Sequence, residues 1–214
     1  MMEIITELQK GGIIMVPLLI GSVLGLAIVI ERAFGLRRRK VLVPEIVSAI
    51  GKIGSMEDVR VAERICEANI GPFANIVLAA LRNQDLTKEE LKEAILDQGR
   101  QEVRVLERGL VMLETIASAA PLLGLMGTVI GMIKVFNVIS AQGLGQANVL
   151  SGGISEALIT TVTGLAIGIP ALVAFNYFTN KAESLVMDIE KYSSRLLHKI
   201  RIIEPGDRGD DVAV

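Results

Sequence analysis

The chain is nearly devoid of the residues that metal, thiol or acid–base chemistry draws on, with one Cys and one His among 214 residues. A single cysteine, Cys66, cannot form an internal disulfide, and within a helical pattern it reads as a small buried core residue. The lone histidine, His198, lies in a charged segment near the C-terminus and reads as a solvated surface residue. Metal and catalytic sites gather several ligating or titrating groups, and none accompanies it. No Gly-rich phosphate loop, paired His/Cys spacing or Ser/His/Asp set occurs either. These absences argue against an enzyme, a resident cofactor and a metal centre. Charge is missing too: residues 115–133 and 157–180 contain no Asp, Glu, Lys, Arg or His.

What fills the chain instead is apolar. Hydrophobic residues make up 51%, and the mean hydropathy of +0.52 coexists with 21% charged residues. Such values fit a soluble core poorly but fit a chain whose charge is segregated, here mainly into 31–114 and 181–214. With residues 11–30, the two uncharged segments supply three stretches of the roughly 20 apolar residues that a membrane helix requires. The reading is an all-α integral membrane protein with three transmembrane helices and a large cytoplasmic helical extension.

Basic residues set the orientation. Residues 1–10 hold one Lys or Arg, 31–113 hold fourteen, 114–156 hold one (Lys134), and 157–214 hold six. The block Arg37-Arg38-Arg39-Lys40 after the first span is the strongest cytoplasmic signal. It is a topology determinant that also touches anionic head groups rather than a nucleic-acid site. Glu3 and Glu7 precede the first apolar run and the basic block follows it, the reverse of a cleaved signal peptide, so this span is expected to be a retained anchor. Cys66 then falls on the reducing side.

The expected organisation is a short periplasmic N-terminus (1–10), a first span (11–34), a cytoplasmic helical domain (35–113), a second span (114–138), a periplasmic loop (139–153), a third span (154–180), and a cytoplasmic C-terminal helix and tail (181–214). Pro44 suits a first helical turn, and Ser55 with Asp58 and Thr87 with Glu90 have the spacing of capping boxes. Gly71-Pro72 separates two helices. No strong stop is evident from Thr87 to Pro121, which predicts one helix running into the second span and reaching on the order of 80 Å by Ile139. Residues 181–203 read as a separate helix with an apolar stripe of Leu185, Ile189, Leu196 and Ile200. The run from Pro205 to Asp211 reads as a frayed end.

Each span carries two glycines four apart: Gly21 and Gly25, Gly127 and Gly131, Gly164 and Gly168. That spacing lets helix backbones approach closely where lipid offers no hydrophobic drive, so the spans are expected to pack tightly, with Gly124, Pro121 and Pro170 in the same regions. On the second span Gly124, Thr128 and Gly131 share a face. On the third, Glu156, Thr160 and Thr163 share one, and Thr161 lies beside Gly164 and Gly168. Hydroxyls converging with an acid near one end of a glycine-lined interface suggest an ion path. The plainer alternatives are that each Thr bonds its own helix's carbonyl and that Glu156 is hydrated at the outer interface or caps its helix. Lys134 is expected to snorkel to the outer surface.

Two runs then mark a resemblance. The stretch from Leu113 to Val129, containing Ala119-Ala120-Pro121-Leu122-Leu123-Gly124-Leu125-Met126-Gly127-Thr128, is followed by Glu156-Ala157-Leu158-Ile159-Thr160-Thr161 and Gly164 to Pro170. Together and in this order they resemble the MotA/TolQ/ExbB proton-channel family, nearest its ExbB/TolQ branch. The resemblance implies a homopentameric ring in the bacterial inner membrane, with the second and third spans lining a central pore. That pore holds the single spans of two copies of an ExbD/TolR-like partner, moved by ion flow. Thr128 and Thr161 match the family's pore threonines, and Glu156 its acid at the end of the third span. Thr160 stands where relatives often carry a small apolar residue. The translocated ion is then H+, with Na+ as an alternative because the extra hydroxyl adds a ligand.

Two other readings compete. A flagellar or gliding-type stator subunit belongs to the same family, but the flagellar branch has four spans. A stand-alone three-span channel usually places a large soluble domain after its last span, where only about 34 residues follow here.

Overall fold

The computed structural model describes residues 12–143 and 147–203. The N-terminal segment, part of the 139–153 loop and the tail beyond Ile203 lie outside these described residues, and with them the expectations made for those stretches. The described residues form eight helices: α1 (Met15–Gly35), α2 (Arg38–Val41), α3 (Pro44–Lys52), α4 (Met56–Ala68), α5 (Pro72–Arg82), α6 (Lys88–Leu106), α7 (Leu110–Gln142) and α8 (Ala147–Ile203). Three of them, α1, α7 and α8, are long and apolar enough to cross a membrane, and less than a third of each apolar window is buried within the chain. Large side chains such as Val23, Leu26, Leu122, Val129, Val162 and Val173 remain exposed. In water that surface would be unstable; in a bilayer it is the face that lipid and neighbouring helices cover. The protein is an all-helical integral membrane protein.

Two compact units divide the chain. The first contains residues up to Ala33 and Gly109–Thr179, and the second contains Phe34–Arg108 and the residues from Asn180 onward.

In the first unit, Ile14, Met15, Leu18 and Ala120 form a buried cluster joined by Leu123, Ile130, Ile159 and Ile167. These residues come from α1 and the segment before it, from α7 and from α8, so the three long helices share one core. Pro121 and Pro170 sit inside α7 and α8. A proline cannot donate to the carbonyl four residues back. The Ala117 carbonyl that Pro121 leaves without that donor packs against Gly168, where an added Cβ would lie 3.1 Å from it.

The second unit is built from short helices with strong end signals. Pro44 opens α3 at its first turn. At α4 the Ser55 N–H donates to Asp58 Oδ2 at 3.0 Å and the Asp58 N–H returns to Ser55 Oγ at 3.3 Å. At α6 the Thr87 N–H donates to Glu90 Oε2 at 3.0 Å, reciprocated at 3.4 Å. Both capping boxes therefore form. The Ser55 hydroxyl and the Gly54 N–H hold the Asp58 carboxyl below the usual range. Leu185, Ile189, Leu196 and Ile200 are all buried, and the Phe73 ring tilts against Tyr192 at 5.8 Å. Lys199 donates to the Gly51 and Ile53 carbonyls at the end of α3, a cation where the helix dipole is negative. Arg38, from the basic block, pairs with Asp188 at 2.9 Å. Cys66 is buried, and burial pushes its thiol up to about 11.

Helix boundaries differ from expectation in three places. Residues 139–142 and 147–153 of the expected loop are helical, being the end of α7 and the start of α8. The single rod predicted from Thr87 into the second span is two helices, α6 and α7, interrupted at Glu107–Gly109. Gly109, the residue before α7, has φ +79, a left-handed conformation that no continuous helix contains and that suits glycine. The figure of about 80 Å assumed one unbroken helix, which the chain does not form. Conversely, the third span and the helix after it are one continuous α8 of 57 residues. Charges appear at Lys181, but no Gly or Pro interrupts the backbone between Pro170 and Ile203. A change of solvent is not a change of secondary structure.

Candidate functional site

The candidate site lies within the first unit, along the seam where α7 and α8 run antiparallel. Its register follows from what each glycine touches. Moving along α7 from Pro121 through Gly124, Gly127 and Gly131 to Val135, the facing residues on α8 run backwards, from Gly168 through Gly164, Thr160 and Ala157 to Gly153. Steps of three and four on one helix match steps of three and four on the other, as two helical faces in contact require.

Backbones here approach too closely for side chains. A Cβ added at Gly124 would lie 2.9 Å from the Thr160 carbonyl and 3.0 Å from Thr161 Cα. At Gly164 it would lie 2.5 Å from the Ala120 carbonyl, at Gly131 2.8 Å from Ala157 Cβ, and at Gly168 2.6 Å from Pro121 Cγ. Gly127 fits because the Thr160 side chain occupies the place of its missing one. These glycines thus join two helices of the same chain. The pair on α1 behaves otherwise: a Cβ at Gly21 would meet Ile116 Cγ2 at 3.9 Å, and one at Gly25 would meet Ile116 at 3.7 Å, ordinary contact distances. The four-residue spacing is present in all three spans, but only α7 and α8 use it for backbone approach. Pro170, grouped with these residues, is exposed.

The hydroxyls divide into two kinds. Thr128 donates to the Leu125 carbonyl at 2.6 Å, Thr160 to Ala157 at 2.8 Å, and Thr163 to Ile159 at 2.8 Å, all within their own helices. These are the local bonds typical of membrane threonines. Thr161 is different, for its hydroxyl crosses the seam and donates to the Gly124 carbonyl at 3.0 Å. Glycine at 124 makes this reach possible by leaving its carbonyl uncovered. Thr160, 1% exposed, is sealed in the seam, whereas Thr128, Thr161 and Thr163 are half-buried.

At the end of the seam Glu156 accepts from Lys134, with Nζ 2.6 Å from Oε1. Lys134 does not simply reach for the outer surface; it neutralises the acid on the facing helix. Gly12, φ +66, lies against the same carboxylate at the start of the first unit. Ala157, Gly153 and Val135 extend the seam beyond the residues singled out in the sequence. The same three-and-four steps, continued from Gly124 and Gly164, would have found them. Among the described residues no group of His, Cys, Asp and Glu could hold a metal.

Known proteins place this arrangement. Residues 68–191 match the model of the MotA/TolQ/ExbB proton channel family. The chain is 34% identical over 172 residues to biopolymer transport protein ExbB-like 3 of Synechocystis sp., covering 79% of this chain and 82% of that one. It is 35% identical over 177 residues to ExbB-like 1 of the same organism, covering 81% and 69%. It is also 32% identical over 124 residues to the Tol-Pal system protein TolQ of Pseudomonas aeruginosa, covering 58% and 54%. The matched region includes the whole of the α7–α8 seam, so the glycines and threonines that close it belong to the shared part. The chain is a member of the MotA/TolQ/ExbB proton channel family, on its ExbB/TolQ branch.

Proposed function

We propose that this chain is the channel-forming subunit of a membrane motor. Five copies form a ring in the bacterial inner membrane, with the N-terminus periplasmic and the C-terminus cytoplasmic. α7 and α8 of each copy face a central pore that holds the single spans of two copies of an ExbD/TolR-like protein. Protons flowing down their gradient past Thr128 and Thr161 move that partner, energising transport or envelope processes. The excess of basic residues in 31–113 supports the orientation. The exposed apolar surface of α7 and α8 supplies faces for lipid and for neighbouring helices.

The observation that carries this reading is the charge inventory of the two helices. From residue 115 to residue 180 the only ionisable groups of the charged classes are Lys134 and Glu156, and they are bonded to each other. A proton relay through a bilayer uses a titratable side chain within it. With these two paired at one end, the working carboxylate comes from another chain, placed against Thr128 and Thr161, whose hydroxyl oxygens keep lone pairs after donating. Liposomes containing this chain alone should pass few protons under an imposed gradient. Liposomes containing it with the single-span partner should pass them readily, and an Asp→Asn change in the partner's span should stop the flow. Robust flux from this chain alone, lost on Glu156→Gln, would overturn the partner requirement.

A further inference from the structure

The pairing of Lys134 with Glu156 carries more than the absence of a relay. The two residues are 22 apart in sequence and sit on different helices, so the ion pair is a product of the α7–α8 register. Glu156 is 22% exposed and Lys134 54%. The carboxylate is thus the enclosed partner, and the ammonium reaches it from the more exposed side. Its third neighbour is backbone: Gly12, in a left-handed conformation, occupies a place where any side chain would run into the carboxylate. Among the described residues no further charge faces the pair. Residues 12–30 carry none, α7 has besides Lys134 only Glu114, and α8 has none between Glu156 and Lys181. Glu114 is 20 residues back along α7, on the order of 30 Å at the helical rise.

We infer that Lys134 determines ion specificity at this end of the seam: its ammonium fills the cation position at Glu156 and so excludes sodium. The functional weight of this inference rests on the channel reading, but the exclusion itself does not. Sodium entering a partly enclosed site must exchange hydration water for oxygen ligands, and an unpaired carboxylate would supply most of what offsets that loss here. A carboxylate hydrogen-bonded to an ammonium has no net charge to offer, and a second cation at contact distance is repelled by the first. The neighbouring Thr160 hydroxyl donates to the Ala157 and Glu156 carbonyls and is sealed behind Gly127. It cannot open a coordination shell without parting the helices. Protons need no such shell.

The test uses the full chain in lipid nanodiscs, with thermal midpoints read in sodium chloride and in choline chloride at equal ionic strength. Wild type and Lys134→Arg should melt alike in the two salts. Lys134→Gln should gain a sodium-specific rise that saturates, about 3–6 °C at sodium tenfold above its dissociation constant, and adding Glu156→Gln should remove it. Lys134→Asn serves as a second variant should the Gln protein fold poorly. A sodium-specific rise in wild type, or none in either neutral variant, would overturn the inference. In a parallel flux assay with the single-span partner, wild-type proton flux should ignore sodium and the Lys134→Gln complex should respond to it. Absence of flux from every complex, with the melting results as described, would refute the channel reading alone.

Discussion

The close approach of α7 and α8 makes opposite predictions for two glycine-to-alanine changes that look equivalent in sequence. In an ordinary helix such a change is favourable by about 1 kcal/mol, because alanine loses less backbone entropy. At Gly21 nothing opposes it, since the new methyl would sit 3.9 Å from Ile116 Cγ2. Gly21→Ala should therefore be neutral or stabilising by up to about 1 kcal/mol. At Gly164 the methyl would sit 2.5 Å from the Ala120 carbonyl and 3.0 Å from Gly124 Cα, both backbone atoms. Nonbonded carbon atoms prefer about 3.5–4.0 Å, so α7 must withdraw by roughly 1 Å, and a gap of that size forfeits about a quarter to a half of the dispersion well at each affected contact. Overpacking of this kind costs about 1–3 kcal/mol, and the Thr161 bond to the Gly124 carbonyl is stretched by the same movement. Adding about 0.6 kcal/mol for the weakened bond and subtracting the helix preference of about 1 kcal/mol, Gly164→Ala should destabilise by about 0.6–2.6 kcal/mol, a fall of roughly 1–10 °C in a chain of this size. Thermal unfolding of both variants in detergent, followed by circular dichroism, measures the contrast. Equal stability of Gly164→Ala and wild type, or an equal loss at Gly21, would refute the backbone-contact argument.

Other expected outcomes follow from single residues. Thr161→Val should lower stability by about 0.6–1.7 kcal/mol, as the loss of an interhelical bond does in membranes, while Thr128→Val should leave the melting midpoint unchanged because its hydroxyl bonds only its own helix. Both Val variants should lose partner-dependent proton flux and the Ser variants should retain part of it; wild-type flux in both Val variants would confine these hydroxyls to backbone bonding. Gly109→Ala should cost about 1–2 kcal/mol for the left-handed conformation, with its methyl also 3.4 Å from Ile28 Cγ2, and Gly109→Asn should cost less; equal melting of all three proteins would show that the α6–α7 break does not need positive φ. Because burial raises the Cys66 thiol to about 11, it should resist maleimide at pH 8 in the folded protein and react completely in denaturing detergent. Rapid labelling of the native chain would contradict its burial.

Much of this protein was legible before folding was considered. Three uncharged apolar runs announce three membrane helices because a bilayer demands length and apolarity and little else. Ser55 with Asp58 and Thr87 with Glu90 announced helix starts, since a cap satisfies backbone donors within four residues. The stripe of Leu185, Ile189, Leu196 and Ile200 announced its own burial. The family motifs between Leu113 and Pro170 were equally plain. All of these depend on local spacing or composition.

What escaped the sequence depends on partners distant along the chain or on backbone angles. Gly109 looks like any glycine within a helical pattern, and only its left-handed angle makes it the break before α7. Asn180-Lys181 marks a change of polarity, which the backbone of α8 ignores. The paired glycines of α1 and α7 carry one spacing, and only the neighbour decides their use: a flexible Ile116 side chain in one case, the backbone and side chains of α8 in the other. Lys134 and Glu156 are the only charges between residues 115 and 180, so their attraction was implicit in the composition. Their meeting at 2.6 Å required the register that Gly124, Gly127 and Gly131 set against Gly164, Thr160 and Ala157. Composition and local spacing determined what this chain dissolves in and where its capped helices, α3, α4 and α6, begin. The antiparallel seam alone decided which hydroxyl crosses between helices and which cation sits at the acid, because both depend on atoms brought together by packing and not by sequence.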